Sequence, residues 1–260
     1  MKILAIDTSG LQASAAIVST CENSSYITVG EIFLNARTGE KSWTHSEILM
    51  PGVQQLFELT RLSPVNIDYV AYTCGPGSFT GLRIGAACAL GMARALGIPA
   101  IAVPTLDALA YNALGVGHEC IIIPMLDARR GQVYTAIYGR DIYGEISRMS
   151  NYMALSVGEM CQELCKLGKG ERNIYFPWSG VVVLGDGADA NAAELRKIMP
   201  DYTLDLIFSS ANNNRQRAAS AAVWAAEKIL AGHEFSDKVE ILYVRAPQAV
   251  RESERKSSDL

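Results

Sequence analysis

Histidine is scarce in this 260-residue chain: only His45, His118 and His233 occur, none within a helical turn of another. A metal held by two histidines on one helix face needs the spacing H-x-x-x-H, so that class of site is excluded. Basic charge is also short. Lysine and arginine number 23 against 27 acidic residues, and the net charge of -4 lacks the footprint that drives binding to phosphate backbones. No apolar run reaches the roughly 20 residues of a membrane span; the longest, Leu82 to Leu96, is interrupted by Arg83 and Arg94. Six cysteines are too sparse for a secreted disulfide scaffold and read as reduced thiols. Cys161 and Cys165 offer two ligands without a third and read as buried thiols. The first residues lack the long apolar region and cleavage site of a signal peptide, so the expected compartment is the cytoplasm, with no membrane partner. What the chain does have is 49% hydrophobic residues, enough for a sizeable core.

The length predicts two domains or one large one. Ile3 to Val18 overlays Ile123 to Tyr138 at a constant offset of 120, with identities at Ile3/Ile123, Asp7/Asp127, Gln12/Gln132, Ala16/Ala136 and Ile17/Ile137. Each segment is an apolar run ending in aspartate, a polar turn and a second apolar run, which is the pattern of a β-hairpin. Each half then offers a strand, a glycine turn and a helix: Ile67 to Thr73 with a helix to Leu96, and Val181 to Leu184 with a helix over 189–199. The reading is a duplicated α/β fold, two lobes of mixed, mostly parallel sheet with covering helices. The lobes are expected at 1–104 and 105–248, Ala100 to Thr105 making the crossing with Thr105 as N-cap. A charged flexible tail is expected over 249–260. The alanine-rich stretch 218–231 predicts a helix that packs back on the first lobe.

Cys74-Gly75-Pro76-Gly77-Ser78-Phe79-Thr80-Gly81-Leu82-Arg83-Ile84-Gly85 is the most distinctive run. It lacks the Gly-Lys-Ser/Thr of a P-loop, has Pro76 where a nucleophile elbow needs glycine, and has Thr80 where a dinucleotide fingerprint needs glycine. What remains is a tight turn with Ser78 capping a helix to Leu96 that Gly97 closes. Gly81, Gly85, Ala89, Ala93 and Gly97 recur every four residues, a flat stripe against which another backbone can pack. The helix is apolar nearly all round, so the stripe faces either the chain's own interior or a partner. Thr44 to Leu62 has helical recurrence too, although Pro51 is expected to kink or split it. Two such helices in one lobe can meet the same pair in a partner as a four-helix contact.

The motifs MKILAIDTS (Met1 to Ser9), His45-Ser46-Glu47 with Leu49 to Pro51, GPGSFTGLRIG (Gly75 to Gly85), GIPAIAVP (Gly97 to Pro104), DARRGQVY (Asp127 to Tyr134) and Tyr243 to Arg245 resemble the TsaB (YeaZ) family of bacteria over nearly the whole chain. The resemblance implies an actin-like fold of two related lobes. It implies a non-catalytic platform subunit, a pseudo-enzyme that pairs with the catalytic subunit TsaD and with the ATPase TsaE, while threonylcarbamoyl passes from threonylcarbamoyl-AMP to the adenosine beside the tRNA anticodon. The chain itself is expected to hold no cofactor, ATP and metal residing in the partners, to form a homodimer when alone, and to meet tRNA only through the complex. The first-lobe helices are the implied partner face, through Leu49, Val53, Leu56, Phe57, Gly81, Leu82, Gly85, Cys88, Ala89 and Met92.

No catalytic or metal residue is assigned. Asp7, Thr8, Ser9, Gly185 and Gly187 fall where an actin-like ATPase handles phosphate and adenosine, and are the weak candidates for nucleotide contact. Arg129 and Arg130, long side chains in a turn that normally uses small ones, either occlude that cleft or bind an anion. The alternative is an actin-fold, nucleotide-dependent phosphotransferase with Asp7 or Asp127 as base. A hydrolase lacks a nucleophile, base and metal together.

Overall fold

In the computed structural model, which describes residues 1–21, 25–35, 37–38, 41–42, 44–115, 119–168, 180–199, 205–235 and 238–245, the first sheet begins with the hairpin of β1 (Lys2–Asp7) and β2 (Gln12–Thr20). His118 and the tail expected over 249–260 lie outside the described residues. The chain continues through β3 (Tyr26–Asn35), the short β4 (Arg37–Thr38) and β5 (Lys41–Ser42), α1 (His45–Thr60), β6 (Tyr69–Gly75), α2 (Phe79–Leu96) and β7 (Ala100–Pro104). After α3 (Thr105–Ala110) come β8 (Cys120–Asp127), β9 (Val133–Thr135), β10 (Tyr138–Arg140), β11 (Ile146–Arg148), β12 (Met153–Leu155), α4 (Val157–Gly168), β13 (Gly180–Leu184), α5 (Asp186–Ala190), α6 (Ala192–Ile198), β14 (Asp205–Phe208) and α7 (Ala218–Leu230).

The two large sheets repeat one plan. Their orders are β3-β2-β1-β6-β7 and β11-β10-β8-β13-β14, with β9 pairing β8 off this path and β12 pairing β9. In each, the first strand pairs antiparallel with the hairpin that follows it and parallel with the strand after the first covering helix. This duplicated order is the actin-like topology. Beyond the sheets the lobes exchange helices. Leu106, Leu109 and Ala110 of α3 pack with β8 and β13 of the second sheet, whereas the alanines of α7 pack on β1 and β7 of the first. Alanine lets α7 lie close, and its N-terminus is held by the first sheet: Ser14 Oγ accepts the Ala218 N–H at 3.0 Å, and Glu31 accepts from Ala219 N–H and pairs with Arg217.

The gapless overlay of the two hairpins fails by one residue. Asp7 lies opposite Ser14, but Asp127 lies opposite Val133, not the Tyr134 that the constant offset requires. A one-residue slip turns a strand over. Thus Ile3 faces α7, whereas Ile123 faces the α4 and α6 layer, the counterpart of the α1 and α2 side that takes Leu4 and Ile6. Asp7 is buried and Asp127 is exposed for the same reason.

Three local expectations also change. Ala100 to Pro104 is not a free crossing but the fifth strand of the first sheet, and Pro104 rather than Thr105 takes the cap position. Thr105 is buried, where its hydroxyl accepts the Gly75 N–H at 3.2 Å. α1 runs unbroken through Pro51, and the carbonyl that loses its partner there belongs to Glu47 on the exposed side of the helix, open to solvent. The helix over 189–199 is two pieces meeting at Asn191.

Candidate functional site

Two surfaces of the molecule bear on function: the cleft between the lobes and the outward side of α1 and α2. The cleft, about 630 Å3, is bordered by Ser9, His45, Ser78, Asp127, Arg129 and Asp186 among others. It lies where the two sheets present the turns that follow their first strands, the usual ligand position in open α/β folds.

The first turn is committed to the fold. Asp7 Oδ1 accepts from Ser9 N–H at 2.9 Å and from Ser9 Oγ at 2.7 Å, while among the described residues the buried Asp7 Oδ2 has only the nearby Thr73 hydroxyl, outside hydrogen-bond geometry. Burial pushes the Asp7 carboxyl above its ordinary range, and the bonds from Ser9 offset this only in part. Thr8 Oγ1 donates to the Gly81 carbonyl at 2.7 Å, and the Ser9 carbonyl accepts from Ser78 N–H at 2.7 Å. The Gly81 N–H goes to Ser78 Oγ, the expected cap. At the α2 end nearest the cleft, the Gly81 and Leu82 N–H groups are thus bonded to Ser78.

Of the five residues considered for nucleotide contact, Ser9 borders the cleft, while Asp7, Thr8, Gly185 and Gly187 lie behind it. Gly185 holds φ at +102°, and a side chain there would strike the Met125 carbonyl. Gly187 also packs on the backbone of Met125 and Leu126, leaving no room for a side chain. What reaches the cleft between them is Asp186, whose Oδ1 accepts the Asp127 N–H at 3.1 Å and whose carboxyl is raised by burial. Arg129 and Arg130 hold φ at 63° and 58°. The Arg129 guanidinium lies 3.5 Å from Asp127 with its side chain 78% exposed, so it edges the cleft in water without filling it. In the first turn the Asp7 carboxyl and the Thr8 hydroxyl are thus engaged within the fold, whereas Asp127, Arg129 and Asp186 of the second lobe border the cleft.

The small-residue stripe of α2 faces inward. A side chain at Gly81 would strike the Thr8 carbonyl, and one at Gly85 the Thr8 hydroxyl; Ala89 and Ala93 pack in the core beneath α1 and α2. Leu49, Val53, Leu56, Phe57, Gly81, Leu82, Gly85 and Ala89, expected at a partner, are buried in the chain's own interior. The reason is periodicity: an apolar helix must give one face to its own sheet, and the smallest residues go where the β1 turn comes closest. Cys88 and Met92 alone among those residues are partly exposed. They flank a second small-residue line that faces outward, Ala87, Gly91 and Ala95, and α1 adds the exposed Met50 and Leu59.

Sequence reasoning missed what residues 238–245 do. Leu242 N–H donates to the Cys74 carbonyl at 2.8 Å, and Gly75, with φ +119°, leaves room for the Leu242 carbonyl. Tyr243 accepts from Arg83 Nε at 3.2 Å and its ring lies 5.7 Å from that of Phe79. Arg245 then crosses to the second lobe, donating to the Ala128 carbonyl at 3.1 Å. The segment thus ties the start of α2 to the rim of the cleft. Its signal was the Tyr243 to Arg245 motif, whose contacts are too distant in sequence to infer.

A family model described as "TsaD: tRNA N6-adenosine threonylcarbamoyltransferase" matches residues 39–242. Proteins described as "tRNA threonylcarbamoyladenosine biosynthesis protein TsaB" are similar in sequence. That of Bacillus subtilis (strain 168) is 38% identical over 139 residues, 53% of this chain and 55% of that protein. That of Escherichia coli (strain K12) is 35% identical over 144 residues, 55% of this chain and 58% of that protein. The match thus spans about half the length of these curated relatives. A solved structure described as "YeaZ from Pseudomonas aeruginosa" shares the fold, with a TM-score of 0.67 at 22% identity over 93% of this chain and 99% of that one.

Proposed function

Because this chain belongs to the family described as TsaD: tRNA N6-adenosine threonylcarbamoyltransferase, and within it to the TsaB (YeaZ) group, we propose that it is a non-catalytic platform subunit in tRNA threonylcarbamoyladenosine biosynthesis. It pairs with a TsaD-like catalytic subunit and works with a TsaE-like ATPase; alone it pairs with itself; tRNA meets it only through the complex. The observation that carries this reading is the division of α2 into two small-residue lines, one packed on Thr8 and the other exposed beside Cys88 and Met92. An exposed line of Ala87, Gly91 and Ala95 has no use for the chain's own core but lets a second helix approach closely. The contact therefore runs along Ala87, Cys88, Gly91 and Met92 of α2 and Met50 of α1.

The same reading leaves ATP and metal to the partners. Support comes from Asp7, the carboxylate that an actin-fold phosphotransferase would use as base: it is buried and bonded to Ser9 within its own turn. Asp127, the alternative base, is exposed beside the Arg129 guanidinium.

Two experiments test the proposal. Depleting the chain in its host is expected to abolish threonylcarbamoyl-modified tRNA measured by nucleoside mass spectrometry; normal modification would refute the role. Calorimetry of the isolated chain with magnesium-ATP is expected to show no binding, and micromolar binding would restore the phosphotransferase reading.

A further inference from the structure

A second cavity, of about 550 Å3, opens between the lobes and shares no lining residue with the cleft. Asp107 of α3, only 9% exposed, forms part of its wall. The Tyr138 and Tyr152 hydroxyls both donate to Asp107 Oδ1, at 2.5 and 2.9 Å, and Arg148 Nε lies 3.8 Å from that same oxygen. Oδ2 accepts nothing from any described residue, so half of a nearly buried carboxylate is left with acceptor capacity.

Lys228 of α7 lines the same cavity. It forms no ion pair among the described residues, its ammonium lying 5.7 Å over the Trp224 ring. Burial raises the Asp107 carboxyl above its ordinary range, and the bonds from Tyr138 and Tyr152 and the charges of Arg148 and Lys228 offset this only in part. Trp224 and Phe235 supply apolar wall, and the Cys74 thiol, pushed up to about 12 by burial, adds no charge near neutral pH. Glu145, Glu234 and Glu240 also line it but are exposed to water, which screens them.

Among the described residues Asp107 Oδ2 has no donor and the Lys228 ammonium no contact ion pair, and in one aromatic-walled cavity the two match a ligand that carries both charges. A plain amine would bring a like charge to Lys228, and a plain carboxylate would bring one to Asp107. The volume falls in the range of small-molecule sites. We propose that this cavity binds a free amino acid as its zwitterion, the ammonium donating to Asp107 Oδ2, the carboxylate accepting from Lys228 Nζ, and the side chain resting on Trp224 and Phe235. This stands apart from the platform role and does not depend on it.

The test titrates the isotope-labelled full chain with each proteinogenic L-amino acid singly, and with n-butylamine and butyrate as half-ligands, following the indole N–H of Trp224 by NMR. At least one amino acid is expected to give a saturable shift that neither half-ligand reproduces. Asp107→Asn, which keeps an acceptor for the two tyrosines, and Lys228→Met should each weaken it on the order of tenfold or more. Absence of any saturable shift, or an amine or acid binding as tightly as the amino acid, would overturn the proposal. Should Asp107→Asn unfold the chain, Lys228→Met decides alone: unchanged affinity overturns the site.

Discussion

Gly85→Ala and Gly91→Ala, six residues apart on α2, should shift stability in opposite directions. Replacing an interior helical glycine by alanine gains about 0.5–1 kcal/mol of backbone entropy and propensity. At Gly91 the new methyl has no heavy atom within 4 Å, so only that gain applies. At Gly85 it strikes Thr8 Oγ1, which is already donating to the Gly81 carbonyl at 2.7 Å. Moving that hydroxyl forfeits a buried hydrogen bond, about 1 kcal/mol, and overpacking adds about 1–3 kcal/mol. The balance at Gly85 is a loss of about 1–3 kcal/mol. For a chain of this length each kcal/mol moves Tm by roughly 2–4 °C. Thermal unfolding of the isolated chain should therefore show Gly85→Ala lower by about 3–10 °C and Gly91→Ala higher by about 1–4 °C. Two increases of similar size would refute the inward placement of the Gly81, Gly85 and Ala89 line.

Three further outcomes follow from the same packing. The Asp7 carboxyl is raised in the folded state, so the folded chain holds its proton more tightly, and the contribution of Asp7 to stability is full at low pH and falls as pH rises above the ordinary value of 3.8. Asp7→Asn keeps the acceptor for Ser9 and should raise Tm at pH 7, the advantage shrinking toward pH 4 in a thermal series; a variant less stable at pH 7 would show that the charge is wanted. Gly75→Ala, at φ +119° and against the Leu242 carbonyl, should cost about 2–4 kcal/mol and speed hydrogen exchange at the Leu242 amide; unchanged exchange would mean that 238–245 is not held there. Leu242→Ala removes a half-buried side chain from the first core and should cost about 1–2 kcal/mol in urea unfolding, with no change if the segment packs loosely.

Local features were legible in the sequence where the signal is local. Ser78 and Gly97 bracket α2 as capping chemistry requires, and α7 follows from its alanines. The hairpins were legible in kind but not in register: the shared aspartates invited a gapless overlay, whereas the second turn is one residue shorter, which the identities conceal. The direction of the small-residue stripe was not legible, because a helix apolar on several sides carries no mark of which side its own sheet takes. That mark is Thr8, some seventy residues away, bonded to Gly81. Asp107 reads as an ordinary helical aspartate until the fold brings Tyr138, Tyr152 and Lys228 around it.

The platform reading rests on the outward line of α2, and one affinity measurement tests it most directly. Gly91→Arg adds a long cation to an exposed helical position with open space around it, so the fold should persist with an unchanged or higher Tm. Sedimentation or calorimetry against the TsaD-like protein of the same organism should then show binding weakened on the order of tenfold or more relative to the unaltered chain. Full affinity in a folded Gly91→Arg chain would contradict the account and move the partner surface elsewhere.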